Sequence, residues 1–313
     1  MLGKTAGGLY WLFRYLERSE NTARLIETGF RIALTRPDGS DDEWRSVLQT
    51  AAVRDLYEGL YGEVEQAKAI DFLLRDRANP SSILSSISEA RQNARLTRTA
   101  LTREVWEAIN DAYMNLKELL AHPVSAKTLP GTLATIRQHS ALVRGAMHGT
   151  MLRTDIFDFC RLGTFIERAD NTARILDVKY YVLLPSMTQV GSDLDNVQWE
   201  TILRAVASHR SYRWLMGGET TPKGIADFLV FDTRMPRSLR FTVKKMASNL
   251  EYLAENYGQR HACHDQMDVL LARLKHGTID EVFDDGLHEF LTEFLLDIGA
   301  LGAQIESDYR FLG

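Results

Sequence analysis

Apolar residues recur at intervals of three and four along most of the chain, and no long alternating stretch is bounded by hairpin turns. One segment shows the pattern well, with Ile83, Ile87, Ala90 and Ala94 on a single stripe. A stripe of this period buries one face of a helix, whereas a half-buried strand alternates every second residue. The sequence therefore predicts an all-α protein.

The same periodicity, together with proline and glycine turn signals, sets the expected helix positions. Long helices are predicted near residues 5–34, 41–61, 103–120, 130–150, 153–184, 195–216, 237–256 and 279–310. A shorter helix is predicted to begin at Pro80, because proline is favoured at a first helical position.

One eight-residue phrase occurs twice in the chain. Glu17 to Arg24 reads ERSENTAR, and Glu167 to Arg174 reads ERADNTAR, 150 positions further on. A second echo links residues 71–83 with 227–239 at an offset of 156. These matches predict an internal duplication with two tandem pseudo-symmetric helical-bundle halves, residues 1–150 and 151–313. No flexible linker separates the halves, so we expect them to pack as one body.

The repeated phrase carries its charged residues on one side of each predicted helix. At about 100° per residue, Glu17, Glu20 and Arg24 share an arc opposite the apolar residues, and Glu167 and Arg174 do so in the second copy. Equivalent residues of a duplicated pair tend to meet around a pseudo-twofold axis. The candidate site residues are Arg14, Glu17, Arg18, Glu20, Asn21, Arg24, Glu167, Arg168, Asp170, Asn171 and Arg174.

Two interpretations of these charges stay open. In the first, each glutamate pairs with an arginine of its own or the partner helix, and the buried network fixes how the halves dock. In the second, Glu17 and Glu167, flanked by Arg24 and Arg174, line a central cleft that holds a small ionic ligand or a peptide terminus. Exposed helix faces with no special role are a third, weaker alternative.

Metal and cofactor chemistry is not predicted. A ferritin-like di-iron bundle needs Glu-x-x-His on two helices, but Glu20 and Asp170 stand where the histidines would be. The cluster around His261 and His264 is too short to complete a metal site alone. No glycine-rich phosphate loop accompanies the second echo, which is better explained as a loop followed by a capped helix start.

Composition narrows the class of protein. A hydrophobic fraction of 45% and a charged fraction of 25% are ordinary for a soluble globular protein, and a net charge of −5 argues against a nucleic-acid partner. Arg14 interrupts the apolar N-terminal stretch after five residues, so no membrane segment is expected. With only Cys160 and Cys263 present, a reducing, cytoplasmic location is expected.

Several segments carry a resemblance to a known family. They are Leu9 to Leu12, Arg14 to Arg18, Asn21 to Arg24, Asn79 to Ile83, Asn93 to Arg95, Trp106-Glu107, Phe165 to Asp170 and Thr172 to Arg174. On these residues, taken together, the chain resembles the bacterial alpha-E domain family, an all-helical group of unknown biochemical function. The resemblance runs nearly end to end.

The resemblance implies partners more than chemistry. Alpha-E proteins are typically encoded beside, or fused to, circularly permuted ATP-grasp proteins, and often near transglutaminase-like peptidases. We therefore expect a helical auxiliary or binding partner of an ATP-grasp ligase in a system that makes or modifies amide or peptide bonds. The alternative is an enzyme of amide or peptide metabolism. It would use Glu17 or Glu167 as base or nucleophile and Arg24 or Arg174 to hold a carboxylate.

Overall fold

The structure, a computed structural model, describes residues 1–34, 40–182, 193–217 and 220–311, and these contain fifteen α-helices and no strand. The first seven helices are α1 (Gly3–Ala33), α2 (Ser40–Thr50), α3 (Arg54–Tyr61), α4 (Gln66–Leu74), α5 (Ile83–Leu96), α6 (Arg103–Leu119) and α7 (Leu129–Thr150). The other eight are α8 (Asp155–Val182), α9 (Asp193–Ala205), α10 (His209–Met216), α11 (Pro222–Phe231), α12 (Leu239–Tyr257), α13 (Ala262–His276), α14 (Ile279–Asp285) and α15 (Leu287–Asp308). The all-α prediction is confirmed.

The two helices that carry the repeated phrase, α1 and α8, pack against each other at the centre of the molecule. Helix α1 also packs on α5 and α7, and α8 packs in the same way on α12 and α15. Each central helix is therefore covered on several sides, which buries its polar arc as well as its apolar arc. The pseudo-symmetry of the complete halves and their boundary near residue 150 stay predictions.

The second echo marks equivalent helix starts. Ser82 and Ser238 are the N-caps of α5 and α12, and each hydroxyl accepts a hydrogen bond from the amide three residues later. Capping of this kind satisfies one of the free amides of a first helical turn. The prediction of a capped start is confirmed, but the predicted first residue is wrong. Pro80 lies in the turn before the cap, and the helix begins at Ile83.

Three predicted helices are broken in the structure. The helix predicted over 41–61 ends at Thr50 and resumes at Arg54, and the one predicted over 195–216 is interrupted at Ala207. Gly286, with φ of 104°, breaks the helix predicted over 279–310. The two repeats have offsets of 150 and 156 residues, and we attribute the difference of six residues to the loops near 36–40 and 185–195. These loops lie largely outside the described residues.

The first two breaks share one geometry. Ala52 and Ala207 have positive φ values of 56° and 54°. The amide of Val53 donates to the Leu48 carbonyl at 3.0 Å, and the amide of Ser208 donates to the Leu203 carbonyl at 2.7 Å. This is the bonding of a Schellman cap, in which glycine usually takes the left-handed residue. Because alanine stands there instead, the sequence gives no ordinary stop signal.

Replacing Ala207 with glycine is expected to stabilise the protein by about 0.5–1 kcal/mol. Relief of the left-handed strain contributes about 1–2 kcal/mol, and the added freedom of glycine in the unfolded chain offsets about 0.4–1 kcal/mol of it. Urea denaturation measures the change. Ala303→Gly, at an exposed position inside α15, is the matched control and should cost about 1 kcal/mol. Destabilisation of similar size in both variants would contradict the cap geometry.

Among the described residues no helix combines the length and the apolar character needed to cross a bilayer.

Candidate functional site

The Glu-Arg dipeptide occurs twice in the chain, and the two copies bind each other. Arg18 donates to Glu167 from Nε and Nη2 at 2.6 and 3.0 Å, and Arg168 donates to Glu17 from the same two atoms at 2.9 and 2.9 Å. Each pair is bidentate, the strongest geometry between a guanidinium and a carboxylate. This exchange of partners is the pattern that a twofold relation between α1 and α8 produces.

Four arginines surround Glu17 and Glu20, and we call this group the Glu17 cluster. Both glutamates are almost fully buried, with exposed fractions of 2% and 1%. Its arginines are Arg24, Arg144, Arg168 and Arg237.

Arg237 closes the Glu17 cluster from the loop before α12. It donates to Asn21 Oδ1 at 2.9 Å and to Glu20 Oε1 at 3.0 Å, and it lies 3.2 Å from Glu17 Oε1. Arg144 of α7 reaches Glu20 Oε2 from the other side. The cluster thus ties α1 to α7, α8 and the start of α12, so it joins segments that lie more than 200 residues apart.

The charges of this cluster decide its protonation. Burial by itself raises the pKa of the Glu17 carboxyl, but Arg168 and Arg237 lower it by more, so its pKa lies well below the usual value. Burial lowers the pKa of Arg237 to about 10, which still leaves the guanidinium charged at neutral pH. Glu17 and Arg237 are therefore both charged at neutral pH, and the cluster contains four arginines against two glutamates.

The second group, the Glu167 cluster, contains Arg14, Arg18, Glu167, Asp170 and Arg174. Arg14 Nε donates to Glu167 Oε2 at 3.1 Å, in addition to the pair with Arg18. Arg174 holds Asp170 with two bonds of 2.8 and 3.1 Å. Burial raises the pKa of Glu167, but Arg18 and Arg14 outweigh it and the net shift is downward.

A cavity of about 210 Å³ lies beside the Glu167 cluster. It is lined by Arg14, Arg18, Asn21, Thr22, Leu25, Thr50, Ala51, Ala52, Val53, Leu73, Ser81, Glu167, Asp170, Asn171 and Arg174. Its charged lining residues are three arginines and two carboxylates, an excess of one positive charge. Sites for drug-sized ligands measure about 300–1,000 Å³, so this cavity suits a terminal group or a very small ion.

The two clusters differ at one pair of equivalent positions. Pro236-Arg237-Ser238 matches Pro80-Ser81-Ser82 in the second echo, so Arg237 and Ser81 occupy the same place in the repeat. Arg237 is buried against Glu17 and Glu20, whereas the short Ser81 side chain only approaches Arg18, at 3.5 Å. The cavity therefore lies where the corresponding guanidinium is missing.

The structure brings all eleven candidate residues to the two clusters and the cavity between α1 and α8. Asn21 links them, because its Oδ1 accepts from Arg237 while the residue also lines the cavity. Its Nδ2 is buried without a hydrogen-bond partner within the described part of the chain. Sequence reasoning missed Arg144 and Arg237. The mismatch of Arg237 with Ser81 in the second echo was a usable signal, but nothing in the sequence marked Arg144.

Neither repeated glutamate is prepared for catalysis. A general base needs a pKa near the working pH and a free lone pair facing the substrate. Glu17 and Glu167 have lowered pKa values, and both oxygens of each accept from arginine. The geometry matches the first interpretation, a buried network that fixes how α1 and α8 dock.

The remaining sequence candidates have structural surroundings. His264 is buried, its Nδ1 accepts from the His261 amide at 2.9 Å, and its Nε2 lies 3.0 Å from the Leu250 carbonyl. Burial raises the pKa of both Cys160 and Cys263, which keeps these free thiols protonated and unreactive. Within the described ranges no group of three or more histidine, cysteine or acidic side chains is arranged to hold a metal ion.

The chain matches a known protein family but no solved structure. Residues 1–310 match the model of Alpha-E, a predicted α-helical domain with a conserved ER motif. No solved structure matches the chain significantly. In this chain the Glu-Arg sequence occurs as Glu17-Arg18 and Glu167-Arg168, the residues that form the reciprocal pairs.

The chain is also similar to uncharacterized proteins of Mycobacterium bovis and Mycobacterium tuberculosis, each 23% identical over 312 residues. The match covers 93% of this chain and 35% of each relative, so the chain spans about a third of their length. Since the family model covers nearly every residue, the chain belongs to the Alpha-E family.

Proposed function

We propose that this chain is a non-catalytic helical binding domain, an auxiliary partner of an ATP-grasp ligase in a system that forms or modifies amide or peptide bonds. It engages its partner or a peptide substrate through the Glu167 cluster. The observation that carries the proposal is the cavity of about 210 Å³ bounded by Arg14, Arg18 and Arg174. A cavity with an excess positive charge suits an anionic group such as a peptide carboxylate.

Two features favour a binding role over independent catalysis. The carboxylates that an enzyme would use, Glu17 and Glu167, are engaged by arginines and have lowered pKa values. The donors at the cavity include Arg174 Nη1, which does not contact Asp170. Such groups bind an anion without reacting with it.

The ATP-grasp partner comes from the family resemblance. The mycobacterial proteins are about three times as long as the matched region, so in them this domain is one part of a larger polypeptide. A transglutaminase-like peptidase is a second partner that the resemblance implies. We place the system in the cytoplasm, where Cys160 and Cys263 stay reduced.

Mixing the purified chain with a circularly permuted ATP-grasp protein from the same organism tests the proposal. We expect a complex on size-exclusion chromatography and a change in the rate of ATP turnover. Ser81→Arg should abolish the effect on turnover while the protein stays folded, because Arg237 already occupies the equivalent place in the second half. Arg174→Gln should weaken the effect at least tenfold.

Arg204→Gln is the matched control, since it removes the same charge from a surface i,i+4 pair with Glu200. It should leave both measurements unchanged. Absence of a complex together with unchanged ATP turnover would refute the partner role. Full function of Ser81→Arg would refute the role of the cavity.

A further inference from the structure

A larger cleft lies between the beginning of α8 and the second half of α12. Its volume is about 660 Å³, within the range of about 300–1,000 Å³ that holds small-molecule ligands. It is lined by Arg153, Thr154, Asp155, Phe157, Asp158, Arg161, Lys245, Ser248, Asn249, Tyr252, Glu255 and Asn256. None of these residues belongs to the Glu17 or Glu167 clusters.

The unusual group in this cleft is the carboxylate of Asp158. The residue is only 7% exposed, yet within the described part of the chain its side chain accepts no hydrogen bond and forms no ion pair. Its oxygens are also not among the buried atoms that lack a partner, so they reach the space of the cleft. A mostly buried carboxylate that no protein group engages is free to bind a cationic group in the cleft.

The acid beside it is already engaged. Asp155 accepts a hydrogen bond of 2.7 Å from the Tyr257 hydroxyl, and Arg153 donates to the Met151 and His148 carbonyls. These groups form the wall of the cleft and satisfy each other or the backbone. Asp158 is therefore the buried acid left for a ligand.

Two cations that line the cleft, one from each helix, form no ion pair within the described residues. Arg161, one turn after Asp158 on α8, donates from Nε to Asn249 Oδ1 at 3.2 Å. Lys245 of α12 lies 5.3 Å from the centre of the Phe241 ring. Both side chains keep donors free for an anionic group.

We infer that this cleft binds a small zwitterion, a free amino acid or a short peptide, with its ammonium group on Asp158 and its carboxylate on Arg161 and Lys245. The lining balances three acids against three bases, which matches a ligand of zero net charge. The inference goes beyond the proposed function, because it concerns a second site on another face of α8.

Isothermal titration calorimetry on the full chain at pH 7.5 tests it with alanyl-alanine as the probe. N-acetyl-alanyl-alanine lacks the ammonium, and alanyl-alanine amide lacks the carboxylate, so each should bind at least tenfold more weakly. Free alanine distinguishes the two ligand sources: tighter binding of alanine indicates an amino-acid site, and tighter binding of the dipeptide indicates a peptide site. Equal binding of the acetylated and free dipeptides would overturn the inference. A failure of both alanine and alanyl-alanine to bind would overturn it as well.

Asp158→Asn should weaken binding of the better of these two probes at least tenfold. The control Asp111→Asn, at an exposed position on α6, should have no effect. Asp158→Asn is close to isosteric and removes a buried charge, so it should fold at least as well as the original chain. If Ser81→Arg abolishes binding and Asp158→Asn does not, the ligand lies in the cavity at the Glu167 cluster. That result would contradict this inference without contradicting the proposed function.

The pH dependence gives an independent readout. Burial raises the pKa of Asp158 to about 6, with a smaller contribution from Asp155 and an opposing one from Arg161. Binding of the ammonium should therefore strengthen as the pH rises through about 6. The other charged or titratable groups that line the cleft or interact electrostatically with this carboxylate are Arg153, Cys160, Lys245, Tyr252, Glu255 and Tyr309. In Asp158→Asn this pH dependence should vanish, and its persistence would assign the effect to one of those groups.

Discussion

Replacing Glu17 with glutamine should lower the free energy of unfolding by about 3–5 kcal/mol, the usual cost of removing one partner from a buried ion pair. The change leaves Arg168 without its bidentate carboxylate and deprives Arg237 of one of its two acidic neighbours. Both guanidinium groups are buried, so water cannot replace the lost bonds. Urea denaturation at pH 7 measures the effect.

Glu167→Gln should cost less, because its partners Arg14 and Arg18 are 19% and 24% exposed and can be partly solvated. The matched control is Glu58→Gln, which breaks a surface i,i+4 pair with Arg54 and should change stability by less than about 0.5 kcal/mol. Wild-type stability in both cluster variants would show that the network does not fix the docking of α1 and α8.

Acid titration checks the same pair in another way. The folded-state pKa of Glu17 lies below its value in the unfolded chain, about 4.5. Its contribution to stability is therefore fully present above about pH 4.5 and is lost as the pH falls towards the folded-state pKa. Glu17→Gln has no such proton to take up, so its stability should fall less steeply below pH 4.5. An unchanged acid slope would contradict the assigned ionisation.

Gly163→Ala is expected to destabilise the protein by about 3 kcal/mol or more, the upper end for overpacking. A Cβ at this position would lie 2.1 Å from the Tyr10 carbonyl oxygen and 2.9 Å from its carbon. These are backbone atoms of α1, so a rotamer change cannot relieve the contact and the two central helices must move apart. Thermal or urea denaturation shows the loss.

The matched control is Gly145→Ala inside α7, where a Cβ meets nothing within 4 Å. It should stabilise the protein by about 1 kcal/mol, since alanine is the better helix former. Opposite signs for the two variants are the expected outcome. If Gly163→Ala also stabilises the protein, the close approach of α1 and α8 is wrong.

Much of the candidate site was predictable because the repeated phrase is a local pattern with a definite helical period. Glu17, Arg18, Glu167 and Arg168 were identified from their repetition, and the structure places them in contact. The repeat could not show whether these charges form a buried ion-pair network or line a ligand-binding cleft. That choice depends on Arg237, whose loop lies more than 200 residues from α1.

The helix breaks show where local rules fail. Gly286 is a glycine, a residue that often interrupts helices, although one helix was predicted to run through it. Ala52 and Ala207 adopt positive φ values at positions where the sequence favours continued helix. The penalty for such a residue is about 1–2 kcal/mol, small enough for packing elsewhere to offset. Propensity therefore predicted one helix where tertiary structure keeps two.

The sequence by itself determined that the chain is helical, which face of each helix is apolar, and that one Glu-Arg phrase stands on two helices. These properties follow from periods of three and four residues and from a direct repeat, so they need no knowledge of neighbours. Only the tertiary structure decided that the polar arcs are buried, that each Glu-Arg pair bonds to the other, and that Ser81 leaves open the space that Arg237 fills. The pKa of a buried carboxyl depends on groups that folding brings together from distant parts of the chain, and so does the choice of partner for a guanidinium. A pattern along the sequence does not show which distant groups will be close in space.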